Sequence, residues 1–214
     1  MSFLCLRIGT LPNGLANNIR GEIDEKKYGS KSLSLSNTGF CYCTYDDEGN
    51  PNAMTAAWGG ICCSSPPCVA VSLRKATYTY GSLLAKKAFT LNIPSENFIK
   101  EADYFGLVSG KKENKFAHTG LTAVKSDLVD APYIKEFPIN LECKIINILE
   151  IGLHTQFIGE VLDAKIDDTL QEKGDHPLIE QIKPLIFAPE SRSYHVVGKQ
   201  IAQAFAIGND TNIK

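Results

Sequence analysis

The 214-residue chain contains no apolar run approaching the roughly 20 residues that a membrane-spanning helix requires. It also lacks an excess of one charge: 22 Lys and Arg stand against 24 Asp and Glu, a formal net charge of −2. No basic stripe dominates, so there is no electrostatic case for nucleic acid or for an anionic membrane surface. The sequence has no GxxxxGK, no GxGxxG and no CxxC. A P-loop, a dinucleotide fingerprint and the usual paired-thiolate spacing of metal or dithiol sites are therefore absent. Internal repeats and low-complexity linkers are missing as well. The opening MSFLCLRIGT has a brief apolar patch, but Arg7 interrupts it and no cationic segment precedes it. A secretory signal carries about 7–15 continuous apolar residues after a basic start. The expectation is a plain extension and a cytoplasmic protein.

Cysteine is not scarce. The seven are Cys5, Cys41, Cys43, Cys62, Cys63, Cys68 and Cys143. A chain of this size can build a core without covalent staples, and most of the seven lie inside apolar runs, so reduced thiols are the reading. Cys62, Cys63 and Cys68 invite a metal reading, but adjacent cysteines do not easily share one ion and no histidine completes a site. No metal is expected.

The length suits one domain. Met1–Asp24 lacks periodicity and reads as an N-terminal extension, disordered or packed on a partner subunit, ahead of a domain spanning 25–214. Strand signals fall near Phe40–Tyr45 and Ala53–Ala57, joined by a turn-rich Asp46–Asn52, and again at Cys68–Leu73 and Ala88–Ile93. A short helix is predicted over Thr77–Lys87, with Tyr80, Leu83 and Leu84 on its inner face. A second is predicted over Ser95–Leu107, capped by Ser95, with Phe98, Ala102 and Phe105 aligned. Leu121–Lys125 reads as a brief strand. In Ile139–Ile151, Leu141, Cys143 and Ile145 alternate with Asn140, Glu142 and Lys144, the mark of a strand wet on one face. The next strand starts at His154, with Gly159 a bulge or close-approach position. Pro177 suits a first helical turn and Pro184 a stop. Ser193–Ile207 reads as a helix with Val197, Ile201, Ala204 and Phe205 on one stripe. Many short strands with helices at the rim and C-terminus predict a mainly β (α+β) fold of small-barrel type.

Four segments carry the chemistry. In SLRKATYTY, Arg74 and Lys75 supply two cations and Ser72, Thr77 and Thr79 three hydroxyls just past a strand end. Convergent charge-assisted donors beside a helix N-terminus are what a phosphate needs; the plain alternative is a solvated loop paired with nearby acids. MTAAWGG leaves backbone exposed at Ala56, Ala57 and Gly59, and Trp58, the one tryptophan, could wall a planar ring. Ser109–Phe116, SGKKENKF, could meet a phosphate or a ring's polar edge, or be solvated surface. His154 could donate to a bound ring or an incoming nicotinamide, or be structural.

The blocks NAMTAAWGGICCSSPPCVAVSLRKATYTYG, AFTLNIPSENFIKEADYFGLVSG, EIGLHTQFIGEVLDAK and PLIFAPESRSYHVVGKQIAQAF resemble the flavin reductase-like, FMN-binding split-barrel family, and within it the flavoredoxin branch. The resemblance spans Lys27–Gly208. It implies a split β-barrel that dimerises and holds one non-covalent FMN per subunit near the subunit boundary. It also implies that Thr55, Ala56, Ala57 and Trp58 line the flavin. The phosphate tail falls to Ser72, Leu73, Arg74, Lys75 and Thr77, with Ser109, Gly110 and Lys115 as further contacts. His154 matches the histidine of the family's Gly–Asp–His segment and is the candidate catalytic residue; here Leu153 replaces the Asp. That departure favours electron transfer through FMN, to or from a protein partner, over handling of NAD(P)H. The alternatives are an NAD(P)H-dependent flavin reductase and a non-catalytic protein that binds flavin or another planar ligand.

Overall fold

The computed structural model describes residues 37–170, 172–173 and 176–209; the extension Met1–Asp24 and Cys5 lie outside them. Its elements belong to the unit Ser34–Lys214. The first half contains β1 (Asn37–Thr38), β2 (Phe40–Tyr45), β3 (Pro51–Ala56), β4 (Gly59–Ser64), β5 (Pro67–Arg74), α1 (Tyr78–Lys86), β6 (Ala88–Ile93), α2 (Ile99–Leu107) and α3 (Lys115–Thr119). The second contains β7 (Ala123–Lys125), β8 (Pro132–Ile134), β9 (Ile139–Ile151), β10 (His154–Ile166), β11 (Glu172–Lys173), β12 (His176–Pro177), α4 (Ile179–Ile182), β13 (Leu185–Ala188) and β14 (Ser193–Val196).

Seven strands form one antiparallel sheet in the order β3-β2-β6-β9-β10-β5-β4. Its two edge strands are consecutive in sequence, so Ala57 and Trp58 alone join them and the sheet curls into a split barrel. Gly59 makes this curl possible. A Cβ there would strike the Tyr42 hydroxyl and lie 2.9 Å from the Ala70 carbonyl oxygen, so only glycine brings β4 over β2.

Two cores lie on opposite faces of the central strands. Tyr42, Val71, Leu73, Phe89, Leu91 and Phe157 fill the barrel. Cys41, Cys43, Phe105, Phe116, Ile134 and Phe137 pack beneath α2 and α3. Because β2 sends alternate side chains to each core, it is buried on both sides. Gly159 is a close approach: its absent Cβ would sit 2.6 Å from Phe89 Cζ and 3.0 Å from Cys143 Cβ, beside a register shift at Ile158/Gly159.

Several sequence expectations need correction. Asn140 and Glu142 do not face water. The Glu142 carboxylate is fully buried, accepts the backbone N–H groups of Leu128 (2.8 Å) and Asp127 (3.4 Å), and lies 3.5 Å from Lys165 Nζ. Donors from a neighbouring loop repay its desolvation, which alternation in β9 cannot reveal. In α1 the buried residues are Thr79, Ser82 and Leu83, while Leu84 is exposed. Ser193–Ile207 is not a helix: Ser193–Val196 pairs with β13 as β14. The apolar stripe beyond has no surface to cover, with Ile201 and Phe205 almost fully exposed. Strand pairing at one end and lack of a docking face at the other override a 3.6-residue pattern. Pro177 ends β12, and the helix after it, α4, is a single turn. The helix predicted over Ser95–Leu107 begins only at Ile99, after a 3-10 turn over Glu96–Phe98, and the Ser95 side chain caps neither; the other predicted strands and the helix within Thr77–Lys87 form where the sequence places them.

Candidate functional site

The C-terminal half of β3 faces the end of α2, and a groove runs between them. One section, about 240 Å3, is lined by Met54, Ala76–Thr79, Phe105–Gly110 and Lys115. The adjoining section, about 310 Å3, is lined by Thr55, Ala56, Ala57, Asp103, Phe187, Arg192 and Tyr194. Gly106 and Leu107 line both, so the two are parts of one groove along the strand.

At one end lies the N-terminus of α1. Thr77 is its N-cap, yet no side chain caps the helix. The Thr77 hydroxyl instead donates to the Arg74 carbonyl (2.9 Å). Of the first-turn amides, that of Tyr80 donates to the Thr77 carbonyl (3.2 Å), while those of Tyr78 and Thr79 stay available to an anion. Arg74 is exposed, and its guanidinium makes no ion pair or hydrogen bond among the described residues, although its carbonyl accepts the Thr77 N–H and hydroxyl. Lys75 is committed elsewhere: its ammonium bonds Glu150 of β9 at 2.8 Å, and that hydrogen bond pushes its pKa up. Such a pair between well-exposed partners is weak and yields readily to a stronger anion. Opposite them the Ser109–Gly110 turn packs closely. A Cβ on Gly110 would strike Asn52 Oδ1 and lie 2.8 Å from Tyr78 Cδ1.

Lys115 forms the floor. It is buried, and its ammonium donates to Ala53 O (2.7 Å) and Phe105 O (2.9 Å), tying β3 to the last turn of α2. Burial lowers its pKa to about 8. Thr55 adds a second tie, its hydroxyl donating to Ala102 O at 2.5 Å. The wall that positions Met54–Ala57 is thus held rigidly to α2.

The other end is apolar and aromatic. Phe187 and Tyr194, cross-strand neighbours in β13 and β14, have ring centroids 5.3 Å apart. The Tyr194 hydroxyl donates to Asp103 Oδ1 at 2.8 Å; burial first, then that carboxylate, raises its pKa. The groove offers an anion site at one end and a flat, partly apolar slot at the other.

The structure brings Thr55, Ala56, Ala57, Thr77, Ser109, Gly110 and Lys115 into this groove. Leu73 is buried in the barrel core, so only its main chain could take part. Trp58 and Ser72 line a separate shallow depression on the outer surface with Gly60, Cys62 and Gln156. His154 stands near them: it pairs with Arg74 across β10 and β5, and its ring lies 5.9 Å from that of Trp58. Asn52, Tyr78, Asp103, Phe187 and Arg192 were not singled out from the sequence. They and Tyr194 reach the site through strand pairing and helix packing and carry no local motif.

Residues 34–195 match the flavin reductase like domain, and the chain belongs to that family. Its structure is similar to that of flavoredoxin of Desulfovibrio vulgaris (Miyazaki F), with a TM-score of 0.81 and 49% identity over 86% of this chain and 99% of the other. It is also similar to flavoredoxin from Methanosarcina acetivorans, with a TM-score of 0.78 and 26% identity over 86% and 98%. Among curated sequences it is 35% identical to an uncharacterized protein of Archaeoglobus fulgidus, over 57% of this chain and 69% of that one. The fold is that of the split-barrel flavin reductase-like proteins. Among the described residues no helix is long and apolar enough to cross a membrane.

Proposed function

We propose that the protein is an FMN-binding redox protein of flavoredoxin type, passing electrons through a non-covalent flavin to or from a protein partner. The observation that carries this reading is the groove itself, with uncapped helix amides at one end and a slot against Thr55–Ala57 at the other. These residues fit FMN. Arg74, Thr77 and the α1 amides suit a phosphate, Ser109 and Gly110 leave room for the chain behind it, and the exposed backbone of Ala56 and Ala57 suits a ring's polar edge. Bound there, the flavin would supply the redox chemistry. Around it this chain would bind the phosphate, hold the ring against a rigid strand and exclude water on the Phe187–Tyr194 side.

A homodimer belongs to the same reading. Leu149 and Ile151 at the end of β9 and Leu153 in the turn after it are each more than 40% exposed. This apolar cluster adjoins Trp58 and His154, and a second copy of the chain is its proposed cover. NAD(P)H-dependent flavin reduction is the second reading, favoured by the open Trp58–His154 pair, over which a nicotinamide could lie.

The test is to load the purified protein with FMN, remove the excess and mix it anaerobically with NADH or NADPH in a stopped-flow spectrometer. Under the proposed reading the flavin stays oxidised with nicotinamides and bleaches with a reduced ferredoxin-type donor. Rapid bleaching by NAD(P)H, slowed in His154→Ala with FMN still bound, would establish the reductase instead. Loss of FMN during removal of the excess would overturn both.

A further inference from the structure

The β4–β5 hairpin brings together two thiols that the sequence separates by four residues. The chain turns at Ser65–Pro66, Ser64 pairs with Pro67, and Cys63 pairs with Cys68 in the antiparallel register. Residues directly opposed across antiparallel strands have Cα atoms about 4.5–5.5 Å apart and side chains on one face. A disulfide needs about 4.4–6.8 Å. Cys62 occupies the extra position of a bulge, where the register shifts between Ile61 and Cys63, so no residue of β5 opposes it.

The two thiols differ in access. Cys63 is exposed and its thiol points to Ser65 O at 3.5 Å. Cys68 is buried and its thiol donates to Pro66 O at 3.4 Å. Burial, and then the neighbouring Cys63 and Cys62 side chains, push the Cys68 pKa up. This arrangement has an attacking thiol at the surface and a resolving thiol behind it. The hairpin lies at the edge of the main sheet, and Cys63 is five residues along the strand from Trp58.

We propose that Cys63 and Cys68 form a reversible cross-strand disulfide by exchange with low-molecular-weight disulfides. Cys63 gives up its proton, and its thiolate attacks one sulfur of the incoming disulfide, breaking that S–S bond and releasing a thiolate. Cys68 then loses its proton and attacks the Cys63 sulfur, expelling the second thiolate. Two protein thiols are oxidised by two electrons, the small disulfide is reduced to two thiols, and the two protons end on those thiols.

The experiment incubates the reduced, desalted full chain with oxidised glutathione, quenches it with acid, alkylates it and reads intact and fragment masses. The expected result is a loss of two hydrogens confined to residues 63–68, with no retained glutathione, in wild type and in Cys62→Ser alike. Cys63→Ser, at an exposed position, should lower the bridged fraction at least tenfold. Cys68→Ser should trap glutathione on Cys63. If Cys68→Ser does not fold, Cys63→Ser alone decides. Persistent glutathione adducts on the wild type without a bridge would overturn the proposal. So would a Cys62–Cys63 bridge, or bridging undiminished in Cys63→Ser.

Discussion

Arg74 and Lys75 are adjacent cations with different prospects. The Arg74 guanidinium has no partner among the described residues, whereas the Lys75 ammonium is held by Glu150. Removing Arg74 should therefore be felt by the ligand rather than by the fold. Arg74→Ala is expected to weaken FMN by about 1–3 kcal/mol, the loss of a charge-assisted bond. Fluorescence titration measures it, and unchanged affinity would place Arg74 outside the site. Lys115 presents the opposite case, a cation spent on two backbone carbonyls. Burial lowers its pKa from 10.5 to about 8, so the unfolded chain binds this proton more tightly. The resulting penalty is present below pH 8 and relieved as pH rises through about 8 toward 10.5. Burial moves the Cys41 and Cys43 thiols up from 9.0, Cys41 to about 12, so they act with the opposite sign above pH 9. Urea unfolding at pH 8 and pH 9 should show the wild type gaining stability relative to Lys115→Met; a constant difference would mean that Lys115 does not titrate there.

At the scale of elements, the site depends on two short helices and the strand they flank. The five-residue α3 carries Lys115 and is too short to persist unaided. Its start is secured by Asn114, whose side chain accepts the Ala117 N–H at 3.0 Å. Asn114→Ala should cost ~1 kcal/mol in chemical denaturation and loosen the groove floor, seen as faster amide exchange at Phe105 and Gly106. Unaltered exchange would separate the cap from the floor. The helix signal in Ser95–Leu107 was legible because Ala102 and Phe105 meet a core at helical spacing, whereas in Thr77–Lys87 the helix forms but buries Thr79, Ser82 and Leu83 rather than Leu84. The same periodicity in Ser193–Ile207 misled because a partner strand, β13, was on offer and a docking surface was not.

For the whole molecule, the apolar ends of β9 and β10 bear on assembly. Light scattering should report a dimer at micromolar concentration, and Leu153→Asp should shift it toward monomer with the barrel's circular dichroism intact. A monomeric wild type would refute the proposed cover. Part of the candidate groove was legible from sequence: Thr55–Ala57, Thr77 and the Ser109–Gly110 turn lie in segments whose chemistry stands in their own residues. Asp103, Phe187, Arg192 and Tyr194 were not, because they meet Thr55–Ala57 only when β13 and β14 fold back over α2.

By itself the sequence determined the mainly β character, most strand positions, two of the helices and the chemistry of the groove's two faces. Each of these is written in local periodicity and side-chain type. Only the tertiary structure decided that Glu142 is buried, that the final helical pattern becomes a strand, that Lys115 is a strut beneath the groove and that Cys63 faces Cys68. The physical reason is common to all four. Burial, pairing and opposition belong to two segments at once, and one segment's pattern cannot specify the other's position.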